Sequence, residues 1–157
     1  MSDDDVQTNP GSTPRSTLAS GDPMDTPATS TTSARLELVF IGVSDVDRAK
    51  HFYAEVLGWG CDHDQRVTDG LRFLQVTPPG SACSFAFGEG VTPMRPGEQK
   101  GLQAVVDDAD AARADLLARG VECTEVDEMA WGRFVFFNDP DGNAWVLQQL
   151  PAPSPAA

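Results

Sequence analysis

Val43-Ser44-Asp45-Val46-Asp47-Arg48-Ala49 returns 63 residues later as Val106-Asp107-Asp108-Ala109-Asp110-Ala111-Ala112. Each copy sets short polar side chains ahead of an apolar, periodic run, the pattern of a helix start. The first run, Ala49, Phe52, Tyr53, Val56 and Leu57, keeps helical spacing until Gly58; the second ends at Gly120. Ser44 reads as the cap of the first helix, with Asp47 three residues on. Before it, Leu36 to Val43 alternate as a strand with two largely apolar faces. After it come three β-rich stretches, Trp59 to about Asp64, Leu71 to Val76 and Ala82 to Phe87, parted by turn-formers at Asp69-Gly70 and Pro78-Pro79-Gly80. Other landmarks repeat as well. Gly70-Leu71-Arg72-Phe73 matches Gly132-Arg133-Phe134 at an offset near 61, and Pro78-Pro79-Gly80-Ser81-Ala82 matches Pro140-Asp141-Gly142-Asn143-Ala144 at 62. Two tandem βαβββ modules, over 35–95 and 98–150, are therefore expected.

The rest of the chain bounds what those modules can do. Its 157 residues leave room for one compact domain, and 22% charged with 40% hydrophobic residues are ordinary globular values. No apolar run reaches the ~20 residues that span a bilayer. A net charge of −13 repels phosphate backbones and anionic lipid, so neither nucleic acid nor membrane is an expected partner. Cys61, Cys83 and Cys123 are odd in number and widely spaced, which suits reduced thiols and a cytoplasmic location. Residues 1–34 hold seven Thr, six Ser, four Pro and five Asp with little to bury, and read as a disordered tail. Pro151 to Ala157 reads as a short structureless stub.

The helix start running on to Phe52-Tyr53 and Leu57-Gly58, together with Asp139-Pro140-Asp141-Gly142-Asn143 before the final strand, resembles the vicinal oxygen chelate superfamily, the glyoxalase, bleomycin-resistance and ring-cleaving dioxygenase group. The resemblance implies an α+β fold in which the two modules pair into an incompletely closed eight-stranded barrel holding a ligand, and, in many members, a homodimer. It also implies four metal-binding positions in catalytic members, where His or Glu would polarise substrate oxygens. Counting from Asp45 and Asn143 places these at Leu38 and Val146, with repeat partners Gly101 and Ser84. None of the four offers a glyoxalase-type ligand set, so no metal and no cofactor is expected.

Strand alternation puts Leu38, Phe40 and Gly42, Gly101, Gln103 and Val105, Ala82, Ser84 and Ala86, and Ala144, Val146 and Gln148 towards the cavity. Of these, Leu38, Phe40, Ser84, Gln103, Val146 and Gln148, with Trp131 as a stacking or covering ring, form the expected ligand-binding set. Asp62-His63-Asp64 is the one crowding of acid and imidazole; on a regular strand Asp62 and Asp64 share a face and His63 takes the other. His63 and Asp64 are the candidate catalytic groups, and His51 pairs with Glu55 on the surface. Arg72 and Arg133, equivalent in the repeat, read either as an anion-binding pair or as salt bridges to neighbouring acids. The expected function is metal-independent binding or sequestration of a small, largely apolar or aromatic molecule. The alternatives are a metal-free isomerase, cyclase or lyase of secondary metabolism, and a glyoxalase- or dioxygenase-type enzyme with a non-standard metal site.

Overall fold

The computed structural model describes residues 27–155, so the tail expected over 1–34 lies mostly outside the described residues. Residues 27–34 are exposed and carry no helix or strand. From Arg35 onward one unit contains β1 (Leu38–Phe40), α1 (Val46–Lys50), β2 (Gly60–Thr68), β3 (Leu71–Thr77), β4 (Ser84–Glu89), β5 (Leu102–Val106), α2 (Ala109–Ala118), β6 (Asp127–Met129), β7 (Gly132–Asn138) and β8 (Ala144–Gln149). Two βαβββ modules follow one another, as the repeat requires.

Asp45, and not Ser44, caps α1: its carboxylate accepts from Arg48 N at 3.0 Å, as Asp108 accepts from Ala111 N at 3.1 Å in α2. Ser44 is drawn away by the second module, where Asp141 accepts from its backbone N at 3.1 Å and also from its hydroxyl. The first helix passes without a break into a π-helical turn, His51–Val56, closed by Leu57 N donating to Phe52 O at 2.9 Å. Gly58 and Gly120, with φ of +72° and +77°, end the two helical segments where an L side chain would be strained.

Each module forms a four-stranded sheet of the same order, β1-β4-β3-β2 and β5-β8-β7-β6, with the outer pairs β1/β4 and β5/β8 parallel. Among the described residues no strand of one sheet is paired with a strand of the other, so the chain shows two separate sheets. The helix-side faces meet in one core. Tyr53, Trp59 and Phe85 of the first module pack around Trp145 of the second, with ring centroids 4.7 to 6.0 Å apart. Burying such side chains contributes about 1.5–3 kcal/mol each, and their edge-on contacts add to it.

A buried carboxylate locks the modules together. Asp139 accepts from Tyr53 Oη at 2.8 Å, Asn143 Nδ2 at 2.7 Å, Asn143 N at 2.8 Å and Asp141 N at 2.9 Å. Trp145 Nε1 donates to Tyr53 Oη at 2.9 Å, and Asn143 Nδ2 also reaches the Gly42 carbonyl at 2.8 Å. Burial pushes the Tyr53 phenol well above its ordinary range, and the Asp139 charge beside it adds to the shift. The 139–143 string is thus a turn, with Gly142 N donating to Asp139 O at 3.0 Å, that also staples one module to the other.

Candidate functional site

The face of each sheet turned away from its helix is called inner here. On it the first sheet carries Leu38 and Phe40 in register with Ser84 and Ala86, and Gln75 beside Ala86. The second carries Gln103 and Val105 in register with Val146 and Gln148, flanked by Phe134 and Phe136. The buried Leu74, Phe85, Val135 and Trp145 alternate with these on the helix side. The inner faces are largely apolar and in part uncovered: Phe40, Val105, Phe136 and Trp131 are 36, 60, 40 and 62% exposed, while Ala86, Phe134, Ser84 and Gln148 are buried. Trp131, in the β6–β7 turn, stands edge-on to Phe134 at 6.5 Å, and Phe134 stacks with Phe136 at 6.4 Å.

Polar groups on these faces are tied to one another. Ser84 bonds Thr77 through their hydroxyls at 2.6 Å, and Thr77 donates to Asp62. Gln103 donates to Gln148, whose Nε2 reaches the Trp131 carbonyl at 2.9 Å. Two grooves border the faces. One of about 790 Å³ runs past Phe52, Val56, Val121, Cys123 and Phe136; the other, about 420 Å³, lies along Leu36, Val39, Pro79, Ser84, Gln103 and Val105.

Strand register revises one of the expected positions. Arg72 pairs with Glu89 and Arg133 with Gln149, so the fourth strands correspond at an offset of 60, not 62. The residue that stands where Val146 stands is therefore Ala86, in register with Phe40 as Val146 is with Gln103. Ser84 corresponds instead to Ala144. The turn ahead of the fourth strand differs by two residues between the modules, which the proline-glycine match conceals, but two residues leave a strand side chain on the same face. Leu38, Ala86, Gly101 and Val146 do not fit a divalent cation, and one neutral Ser84 hydroxyl beside them does not make a ligand set. Among the described residues no group of three His, Cys, Asp or Glu side chains comes together as a metal site would need.

The Asp62-His63-Asp64 segment also departs from expectation. A bulge between Cys61 and His63 turns Asp62 to Thr77 on the inner side, so the two aspartates do not share a face. His63, in register with Gln75, falls on the inner side at the sheet edge. Asp64 lies on the helix side, in bonds with Arg72 at 3.0 Å and Lys50 at 2.8 Å. These bonds hold its carboxyl far below the usual carboxylate range, which makes it a poor proton acceptor. Arg72 also reaches Asp47 at 2.9 Å; Arg133 repeats the arrangement with Asp110 at 2.8 Å and Glu128 at 3.0 Å. Both arginines brace a helix start, and neither lines the two grooves described above. His51 Nδ1 lies 2.7 Å from Glu55 on the surface.

The paired βαβββ modules and their inner sheet faces define the architectural class, and the comparisons give the family. Residues 35–147 match the model of the Glyoxalase/Bleomycin resistance protein/Dioxygenase superfamily, and the chain belongs to that family. TnmS3, described as an antibiotic binding protein from Streptomyces sp. CB03234, is 36% identical with a TM-score of 0.71, over 78% of this chain and all of that one. A glyoxalase/bleomycin resistance protein from the same strain is 38% identical, with a TM-score of 0.66, over 73% of this chain and all of its own. YetH of Bacillus subtilis (strain 168) is 29% identical over 114 residues, which is 71% of this chain and 94% of that protein.

Proposed function

We propose that this protein captures a small, largely apolar or aromatic molecule on its inner sheet faces, without a metal and without transforming it. The observation that carries the reading is the uncovered apolar surface of Phe40, Val105, Phe136 and Trp131, joined to a set of positions, Leu38, Ala86, Gly101 and Val146, that offers no cation a home. Structural likeness to an antibiotic binding protein supports it. Removing apolar ligand surface from water gives roughly 25 cal/mol per Å², enough for micromolar capture of a drug-sized compound. The ligand set of this reading is Leu38, Phe40, Ser84, Gln103, Trp131, Val146 and Gln148. A homodimer belongs to the same proposal, because a second copy would cover inner faces that one chain leaves open and complete the barrel between copies. So does a cytoplasmic location, in keeping with three free cysteines.

Planar aromatic compounds are expected to raise the melting temperature and be recovered unchanged, and Leu38→Arg or Val105→Arg to abolish the shift by placing a charge on the inner face. Multiple-turnover conversion seen by time-resolved mass spectrometry would defeat sequestration in favour of a metal-free isomerase, cyclase or lyase. About one equivalent of Zn, Ni, Mn or Fe per chain after dialysis would defeat metal independence.

A further inference from the structure

The polar chain on the first inner face has a direction set by its own chemistry. A carboxylate only accepts, so Thr77 spends its single hydroxyl hydrogen on Asp62. Thr77 Oγ1 must then accept from Ser84 Oγ at 2.6 Å. Ser84 has given its hydrogen away from the groove, and only lone pairs are left on its oxygen. The second face holds a similar chain. The Trp131 carbonyl can only accept, which fixes Gln148 Nε2 upon it at 2.9 Å and turns Gln148 Oε1 to Gln103 Nε2. Gln103 keeps its own Oε1 free, with one spare N–H. Ser84 and Gln103 border the same groove of about 420 Å³, whose other walls include Leu36, Val39, Pro79 and Val105.

We infer that this groove selects aromatic ligands bearing hydrogen-bond donors, phenolic hydroxyls or aryl amines, with Ser84 Oγ and Gln103 Oε1 as the receiving atoms. The inference rests on the small-molecule reading above and adds the polarity of the ligand to it. An ether oxygen placed at Ser84 would meet lone pairs, and the acceptor side of the nearly buried serine oxygen would go without a donor. Sites built to pair a hydroxyl reject the analogue that lacks it far more strongly than apolar contacts discriminate size.

The test titrates the full chain with 2,6-dihydroxynaphthalene and 2,6-dimethoxynaphthalene, following tryptophan fluorescence. Although the diether is the more apolar compound, the diol is expected to bind about tenfold tighter, the worth of one or two such hydrogen bonds. Ser84→Ala is expected to bring the two affinities within about threefold. Thr77→Val frees the Ser84 hydrogen to point into the groove, and is expected to improve ether binding while Ser84 stays in place. Retained melting temperatures establish that both variants fold. Equal affinities in the natural chain, or a preference unchanged in both variants, would overturn the selectivity and leave the capture reading standing. Binding of neither probe would remove both.

Discussion

The two modules share a backbone plan and are filled differently. What they have in common braces the fold: Asp45 and Asp108 cap the helices, and Arg72 and Arg133 clasp Asp47 and Asp110 at the helix starts. What differs couples the modules and lines the inner faces. Tyr53 of the first module sits where Leu116 stands in the second by the offset of 63, and only Tyr53 has a hydroxyl to send across to Asp139. The staple therefore runs one way. On the inner faces, Gln75 of the first sheet corresponds to Phe136 of the second, so one wall is more polar and the other aromatic. Duplication supplied two equivalent frames, and substitution at the positions the frame does not need made them unlike.

The largest effect on this contrast is expected from Asp139→Ala. It leaves the Tyr53 hydroxyl hydrogen, one N–H of the Asn143 amide and two backbone N–H groups without their acceptor, at ~1–3 kcal/mol for each group left unpaired, for a total of about 3 kcal/mol or more in urea unfolding. Tyr53→Phe, which removes one donor and leaves Trp145 Nε1 without its acceptor, should cost less, about 1–2 kcal/mol. If the two variants lost the same amount, the carboxylate would not be the hub of the staple.

Smaller effects separate the two clasps. Arg72 is 15% exposed and Arg133 31%; Asp64, held by Arg72, is far less exposed than Glu128, held by Arg133, while the helix-start acids Asp47 and Asp110 are both open. Arg72→Ala is expected to lose about 1 kcal/mol, and Arg133→Ala less than that. The acid limb of stability follows the same order. Asp64 and Asp110 both have folded-state pKa values below their unfolded ones, through Arg72 and Arg133 respectively. Their stabilisation is complete above the ordinary carboxylate range near pH ~4 and is lost as pH falls below it, more steeply for the first module. Denaturation midpoints measured from neutral to acid pH should therefore fall less in Arg72→Ala than in the natural chain. The smallest stability change is expected at Trp131→Ala, within about 0.5 kcal/mol because the ring is mostly exposed, even though ligand-induced fluorescence change should vanish with it.

Much of the frame was legible in the sequence because it rests on local rules. Helix starts at Asp45 and Asp108, stops at Gly58 and Gly120, and alternation along Leu36 to Val43 need no tertiary information. The choice of Ser44 as cap failed because the second module competes for it through Asp141, a contact 97 residues away. The proline-glycine turns align Ser84 with Val146, whereas strand register, which sets the repeat in space, puts Ala86 there. Period-2 alternation located Leu38, Gln103 and Gln148 on the inner faces, yet could not foretell that those faces would stand open, since closure depends on how whole sheets meet. The bulge at Asp62 left no mark in composition. Tyr53 on an apolar helical stripe was the readable sign of the staple: a buried phenol calls for a partner, and Asp139 is it.

That partner lies 86 residues downstream, which gives the order of synthesis a physical meaning. A nascent first module has its four strands and its helix, but the surface around Tyr53, Trp59 and Phe85 has no Trp145 to rest on and no carboxylate to take the phenol. Released chains that end before residue 139 are expected to be digested readily by added protease, and chains that run past residue 150 to resist. On this account the polypeptide spends most of its time in synthesis waiting for its own last two strands.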